Sequence, residues 1–188
     1  MTLLIAGLAL WFVVHAFPAV APAQRKALQQ KLGRQPYRGV FSLVILAALL
    51  LIIFGWKSAV PVAVYTPPMG PGILSSVLVL AGLILFFASQ VSGHIKRITR
   101  HPQMLGTILW AVAHLLTNGD SRSVALFGTL AVWALLEIVL INRRDGTATG
   151  MAAVSGRYDL VAIIIGGIVF AIVGHFHVQL FGVSPMPV

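Results

Sequence analysis

Long apolar runs broken by short polar stretches dominate the chain, and six of them can be drawn at 2–21, 40–56, 72–91, 102–116, 123–141 and 160–176. About 20 residues are needed to carry an α-helix across ~30 Å of hydrocarbon. Five of the runs approach that length, whereas 102–116 is short and is expected to lie partly sunk among its neighbours. In lipid every backbone polar group needs an internal partner, so apolar runs of this length predict helices. The pattern therefore predicts an all-α, polytopic membrane helix bundle of about six transmembrane helices, forming one domain over 1–188.

The intervening stretches are of two kinds. AQRKALQQKLGRQPYRGVFSL sets Leu28 and Leu32 at helical spacing among basic and amide residues. Two readings stand for it, a short interfacial helix and a solvated basic linker. PVAVYTPPMGPG, rich in proline and glycine, predicts a tight extended cover with no helix.

Composition agrees with the pattern, since 59% of the 188 residues are hydrophobic and 9% charged. A net charge of +9 would suggest nucleic acid in a soluble protein. Here the cations instead sit between apolar runs. Arg25, Lys26, Lys31, Arg34 and Arg38 follow the first run, Lys96, Arg97 and Arg100 the third, and Arg143, Arg144 and Arg157 the fifth. Only Lys57 and Arg122 fall in the other connections. The positive-inside rule makes the rich side cytoplasmic, with both termini periplasmic in a bacterial inner membrane and no nucleic-acid partner. The first run lacks a basic leader and is read as a retained helix. Cysteine is absent, which removes disulfides and thiolate ligands and leaves histidine as the candidate metal or haem ligand.

The chemistry concentrates in RHPQMLGTILWAVAHLLTNGD, residues 100–120. Ionisable side chains at membrane depth are costly and mark candidate functional sites. At ~100° per residue Thr107, Ala111, His114 and Asn118 share one narrow face, with Trp110 as a flat wall beside it. His101 precedes Pro102, a good first helical residue, so its imidazole is placed to cap that helix or to meet an anion. His15 stands in the first run with no polar neighbour on its turn. It reads either as a neutral histidine bonded to a nearby carbonyl or as half of a bis-histidine set with His114. Counting from the two faces puts His15 and His114 ~10 Å apart in depth. If helix tilt or burial does not remove that offset, His175 or His177 is the better partner for His114. His94 reads as an exposed headgroup contact and Gln90 as interhelical glue. Glu137 is expected to reach Arg143 and Arg144 or to pair with a cation such as Arg100. Arg157, near Asp159, reads as an interface anchor. No Walker loop, dinucleotide fingerprint, HExxH pair or nucleophile elbow is present.

The central motif, the early WFVVHAFP with LGRQPYRGVFSL, and the closing HVQLFGVSP closely resemble the NnrU family of bacterial inner-membrane proteins. That resemblance implies a link to nitrite and nitric oxide reductase expression in denitrification. The chain is also similar to zeta-carotene isomerase, a haem b protein that isomerises a carotenoid double bond by redox-dependent ligand switching. That resemblance implies haem b ligated by His15 and His114, with His101 matching the RHP histidine. Ala111 stands where that isomerase has a cysteine, so ligand exchange through a thiol is not available here. Arg100, His101, Pro102 and Gly106 also match the RHPxYxG motif of isoprenylcysteine methyltransferases, but Met104 replaces the tyrosine and the acidic and aromatic cofactor signature is missing apart from Glu137.

These readings combine into one expectation: a membrane protein holding haem b between His15 and His114, in redox or nitrogen-oxide metabolism. Thr107 and Asn118 supply supporting polar groups, Trp110 a wall, and Arg100 or His101 a contact to a haem propionate or anionic substrate. Its further partners would be a lipophilic small molecule and a respiratory reductase. The alternatives are a non-enzymatic factor for reductase assembly or maturation and an S-adenosylmethionine-dependent methyltransferase.

Overall fold

The structure, a computed structural model, describes residues 1–70, 72–146 and 155–185. Nine helices are found among them: α1 Thr2–Val20, α2 Pro22–Leu32, α3 Arg34–Ser58, α4 Gly72–Ala88, α5 His94–Thr99, α6 Pro102–Leu115, α7 Ser121–Asp145, α8 Gly156–His175 and α9 His177–Phe181. Each of the six apolar runs holds one helix, so the all-α polytopic bundle expected from the pattern is what forms. α1, α3, α7 and α8 are long and apolar enough to cross a bilayer, α4 is a shorter apolar helix, and α6 has only 14 residues. Their outward faces stay apolar, with Leu43 65% and Ile73 84% exposed, as lipid-facing surfaces require.

Of the two readings of the first basic stretch, the helical one holds. Pro22 opens α2 at a position where its missing N–H costs nothing. Gly33, with φ +87°, then turns the chain sharply into α3. The proline-rich stretch is a cover as expected. Val64 and Tyr65 donate their N–H groups to Gly119 O, and Ser121 N donates to Val62 O, so 62–65 straps across the α6–α7 turn. The Tyr65 hydroxyl reaches Leu115 O and Asn118 O beneath it.

The helices pack in the order α3, α1, α7, α6, α4, α8, each touching the next. Water drives none of this inside a bilayer, so close backbone approach must, and glycine supplies it. A Cβ on Gly7 would lie 2.7 Å from Ile52 N, and one on Gly55 would collide with the Leu4 backbone, which fixes α1 against α3. Gly82 and Gly106 face each other across α4 and α6, where a Cβ on Gly82 would sit 2.8 Å from Gly106 O. Gly166 similarly meets the Ile84 backbone at 3.0 Å and seats α8 on α4. Leu4, Leu8 and Ile52 form a small buried core against Leu126 and Leu130 of α7.

The three basic clusters share one end of this bundle. Arg100 donates to Gly146 O there, and Asp159 of α8 accepts from His94 N at 2.9 Å, Ile95 N at 3.0 Å and His94 Nδ1 at 3.0 Å. Asp159 therefore caps α5 from another helix, a task its place beside Arg157 does not suggest. His94 keeps a side chain 44% exposed but is tied to that carboxylate. Arg100 has φ 56°, the one positive φ outside glycine among the described residues, at the break between α5 and α6.

Candidate functional site

Two aromatic and histidine clusters flank α7. In the first, the His114 ring stacks on Phe127 of α7 at 4.4 Å between centroids and lies 4.9 Å from Trp110. Trp110 also meets Phe127 edge-on at 4.9 Å, so the expected wall exists and is shared by two helices. His177 of α9 faces His114 at 6.5 Å with ring planes 25° apart. In the second cluster His15 lies 4.2 Å from Trp11 and 5.1 Å from Trp133 of α7, and the two indoles meet at 5.6 Å.

The backbone fixes the tautomer of all three histidines. His15 Nδ1 donates to Trp11 O, His114 Nδ1 to Trp110 O and His177 Nδ1 to Val183 O, each at 2.8 Å. A carbonyl can only accept, so Nδ1 carries the hydrogen and Nε2 keeps its lone pair. An imidazole oriented in this way is prepared to ligate through Nε2. His15 thus forms the carbonyl bond of the first reading without losing the nitrogen the second requires.

The clusters remain separate. α1 and α6 each pack on α7, and no ring contact joins His15 to His114 among the described residues. Phe127 and Trp133, which mark the two levels, are about 9 Å apart along the helix. The depth offset counted from the sequence therefore persists, and the imidazole brought to His114 is His177. His175 is exposed and packs on Phe176 instead.

The rest of the α6 stripe satisfies itself locally. Thr107 Oγ1 donates to Gln103 O at 3.0 Å, and Asn118 Nδ2 to His114 O at 2.9 Å. Ala111 is fully buried, so its small side chain is used for packing. Arg100 and His101 lie at the basic end, a helix length from His114. His101 is the residue before α6, yet its side chain makes no capping bond. Its Nε2 instead donates to Asn142 Oδ1 at 2.8 Å.

Glu137 corrects another expectation. Among the described residues it forms no ion pair with Arg143, Arg144 or Arg100: Arg144 is bound to Asp145 at 2.7 Å and feels Glu137 only at longer range, and Arg100 is bound to a carbonyl. The side chain is buried, and Oε1 has no hydrogen-bond partner. Trp133, one turn away, turns its indole N–H towards the Glu137 carboxyl, and Trp11 holds a buried indole N–H without an acceptor. An unmet polar atom at this depth is costly, so the Trp11 N–H leaves one donor unspent beside His15. Among the described residues no three histidine or acidic side chains converge, so the arrangement offers paired imidazoles and no multi-ligand metal cage.

Sequence reasoning did not reach Phe127, Trp133 or Tyr65. All three stand in segments whose composition is ordinary for a membrane helix or loop, and only the packing of α7 and the strap gives them a role.

No solved structure matches this chain. A 31-residue segment is 58% identical to the 15-cis-zeta-carotene isomerase, chloroplastic, of Zea mays. That match covers 16% of this chain and 8% of the relative, far short of the relative's length. Residues 3–185 match the family described as NnrU protein. The match runs through every helix of the bundle, and the chain belongs to the NnrU family.

Proposed function

We propose that this NnrU-family protein is an isomerase-like redox protein of the bacterial inner membrane that holds a b-type haem on His114. The observation that carries the reading is the His114–His177 pair, two facing imidazoles whose Nδ1 atoms are tied to backbone carbonyls and whose Nε2 atoms are free to ligate. His15 is prepared in the same way one helix further on, and by resemblance it is the other candidate for the second ligand. Haem, if bound, would supply a one-electron redox couple, with His114 and His177 as the residues that would hold it.

The chain's own groups do the positioning. Trp110 O and Val183 O set the tautomers, Phe127 and Trp110 hold the His114 ring, and the Tyr65 strap closes the end of α6. Ala111 offers no donor atom, so the available ligands are imidazoles. The relative acts on 15-cis-zeta-carotene, a lipophilic polyene, and a substrate of that kind would reach a membrane bundle from the lipid. A nitrogen oxide, suggested by the denitrification link of the family, is the other substrate class consistent with a haem iron.

Absorption spectra of detergent-purified protein test the reading. A Soret band is expected, lost in His114→Ala; its retention in His15→Ala and loss of the low-spin form in His177→Ala would select the facing pair. A folded, colourless protein that also fails to take up added haemin would overturn the proposal. That result would leave the non-enzymatic reading, a membrane factor that supports assembly or maturation of a respiratory reductase through its basic loops.

A further inference from the structure

The basic end holds a second constellation, independent of the histidines. α2, α3 and the end of α1 form a half-open cavity of about 390 Å³ whose lining includes Arg25, Gln29, Arg34, Tyr37, Arg38 and Phe41. The spacing explains the convergence: Arg25 and Gln29 are one turn apart on α2, and Arg34 and Arg38, like Tyr37 and Phe41, are one turn apart on α3. The sharp turn at Gly33 folds the two helix faces towards each other.

Three guanidinium groups thus meet at one cavity, and among the described residues none has a carboxylate partner. Like charges at this spacing repel, so the arrangement lacks a counter-charge. Two buried polar atoms are also unmet. Arg25 Nε has no acceptor, and the Tyr37 hydroxyl has no partner although Tyr37 is only 8% exposed. A buried phenol and a buried guanidinium N–H both require hydrogen-bond partners, and both belong to the lining of the same cavity.

We propose that this cavity binds a phosphate group. Several guanidinium forks and a phenolic hydroxyl provide more donors than one carboxylate can accept, and they suit an anion with three or more oxygens. The cavity lies where the polar α2 meets the apolar α3, at the level of lipid headgroups, and Phe41 gives it an apolar flank. Two sources carry the required chemistry, the headgroup of an anionic phospholipid and free phosphate. The site stands on the side of α1 away from α7, whereas His15 faces Trp133 on α7, so it does not depend on haem.

The test uses the full chain, delipidated in maltoside detergent, with dioleoyl phosphatidic acid followed by native mass spectrometry and inorganic phosphate followed by thermal shift. At least one probe should bind, and its affinity should fall about tenfold or more in the Arg34→Gln/Arg38→Gln variant, the loss expected for charge-assisted bonds. Binding of the lipid alone assigns the headgroup as the source, and binding of both assigns the phosphate itself. Lys26→Gln/Lys31→Gln removes the same charge outside the cavity and should leave affinity unchanged. Tyr37→Phe keeps every charge and should weaken binding several-fold, which decides the matter if the arginine variant does not fold. Binding of neither probe, equal losses in the lysine and arginine variants, an unaffected Tyr37→Phe, or succinate binding as tightly as phosphate would each overturn the proposal.

Discussion

Asp120 shows how much one side chain organises at the end of the bundle away from the basic clusters. It is the N-cap of α7, accepting from Arg122 N at 2.9 Å, Ser123 N at 3.2 Å and Ser123 Oγ at 2.6 Å, while its backbone pairs with Ala63 of the strap. Burial pushes its carboxyl up, but the Ser123 and Arg122 bonds outweigh that and hold it below the usual carboxylate range. A depressed carboxylate contributes stability that is complete above its unfolded value, near 4, and is lost as pH falls through the folded value. Hydrogen exchange at Val64 and Ser121 should therefore accelerate below about pH 4, and Asp120→Ala should cost about 1 kcal/mol at neutral pH, read from thermal unfolding. Tyr65 has the opposite sign. Burial and the nearby Asp120 charge raise its phenol, so its share of the strap persists below pH 10 and is lost as pH rises through the raised value. Tyr65→Phe should remove that alkaline transition and leave the acid one.

Some of this was legible residue by residue. The polar stripe of α6 and the wall at Trp110 follow from helical arithmetic on one segment, and the depth offset between His15 and His114 from counting along two. The pairing of His114 with His177 does not, because it depends on where α8 delivers α9. Asp159 is similar: it caps His94 from 65 positions away, and no local spacing encodes that. Glu137 is expected to reach Arg143 and Arg144 or to pair with Arg100; it feels the Arg144 charge but forms no ion pair, because Arg144 is held by the adjacent Asp145.

At the scale of elements, glycine positions decide which helices touch. Gly106→Leu should wedge α4 from α6 and destabilise the protein by several kcal/mol, disrupting the Trp110–His114 cluster with it. Gly128, on α7, has nothing within 4 Å of where a Cβ would stand. Gly128→Ala should thus be neutral or stabilise by up to about 1 kcal/mol through helix propensity alone. Thermal unfolding of the two variants in the same detergent separates packing from propensity. Helix limits were readable from apolar runs because the bilayer constrains length; helix neighbours were not, since every run is apolar and any pair of faces would do.

For the whole molecule, the cysteine-free sequence makes sidedness measurable. The basic clusters share one end, and the positive-inside rule predicts that this end faces the cytoplasm. A single cysteine at Met69, which is fully exposed in the strap loop, should react with an impermeant maleimide in intact spheroplasts. One at Lys31 should react only after lysis. The reverse pattern would invert the topology. The two proposed sites then lie at opposite ends, the histidine pair towards the outer face and the arginine cavity towards the inner one.

The packing order has a consequence for biosynthesis. α1 and α3 leave the ribosome first and close on each other through Gly7 and Gly55, but α4, the next apolar helix made, finds its partners in α6 and α8. Among the described residues α7 is the helix that packs on both groups. During translation the amino-terminal hairpin must therefore wait in the membrane, its α7-facing side with Trp11 and His15 open to lipid, until the fifth apolar run arrives. A chain halted before Ser121 should leave two independently mobile helix groups, and the late insertion of α7 is the step that makes them one protein.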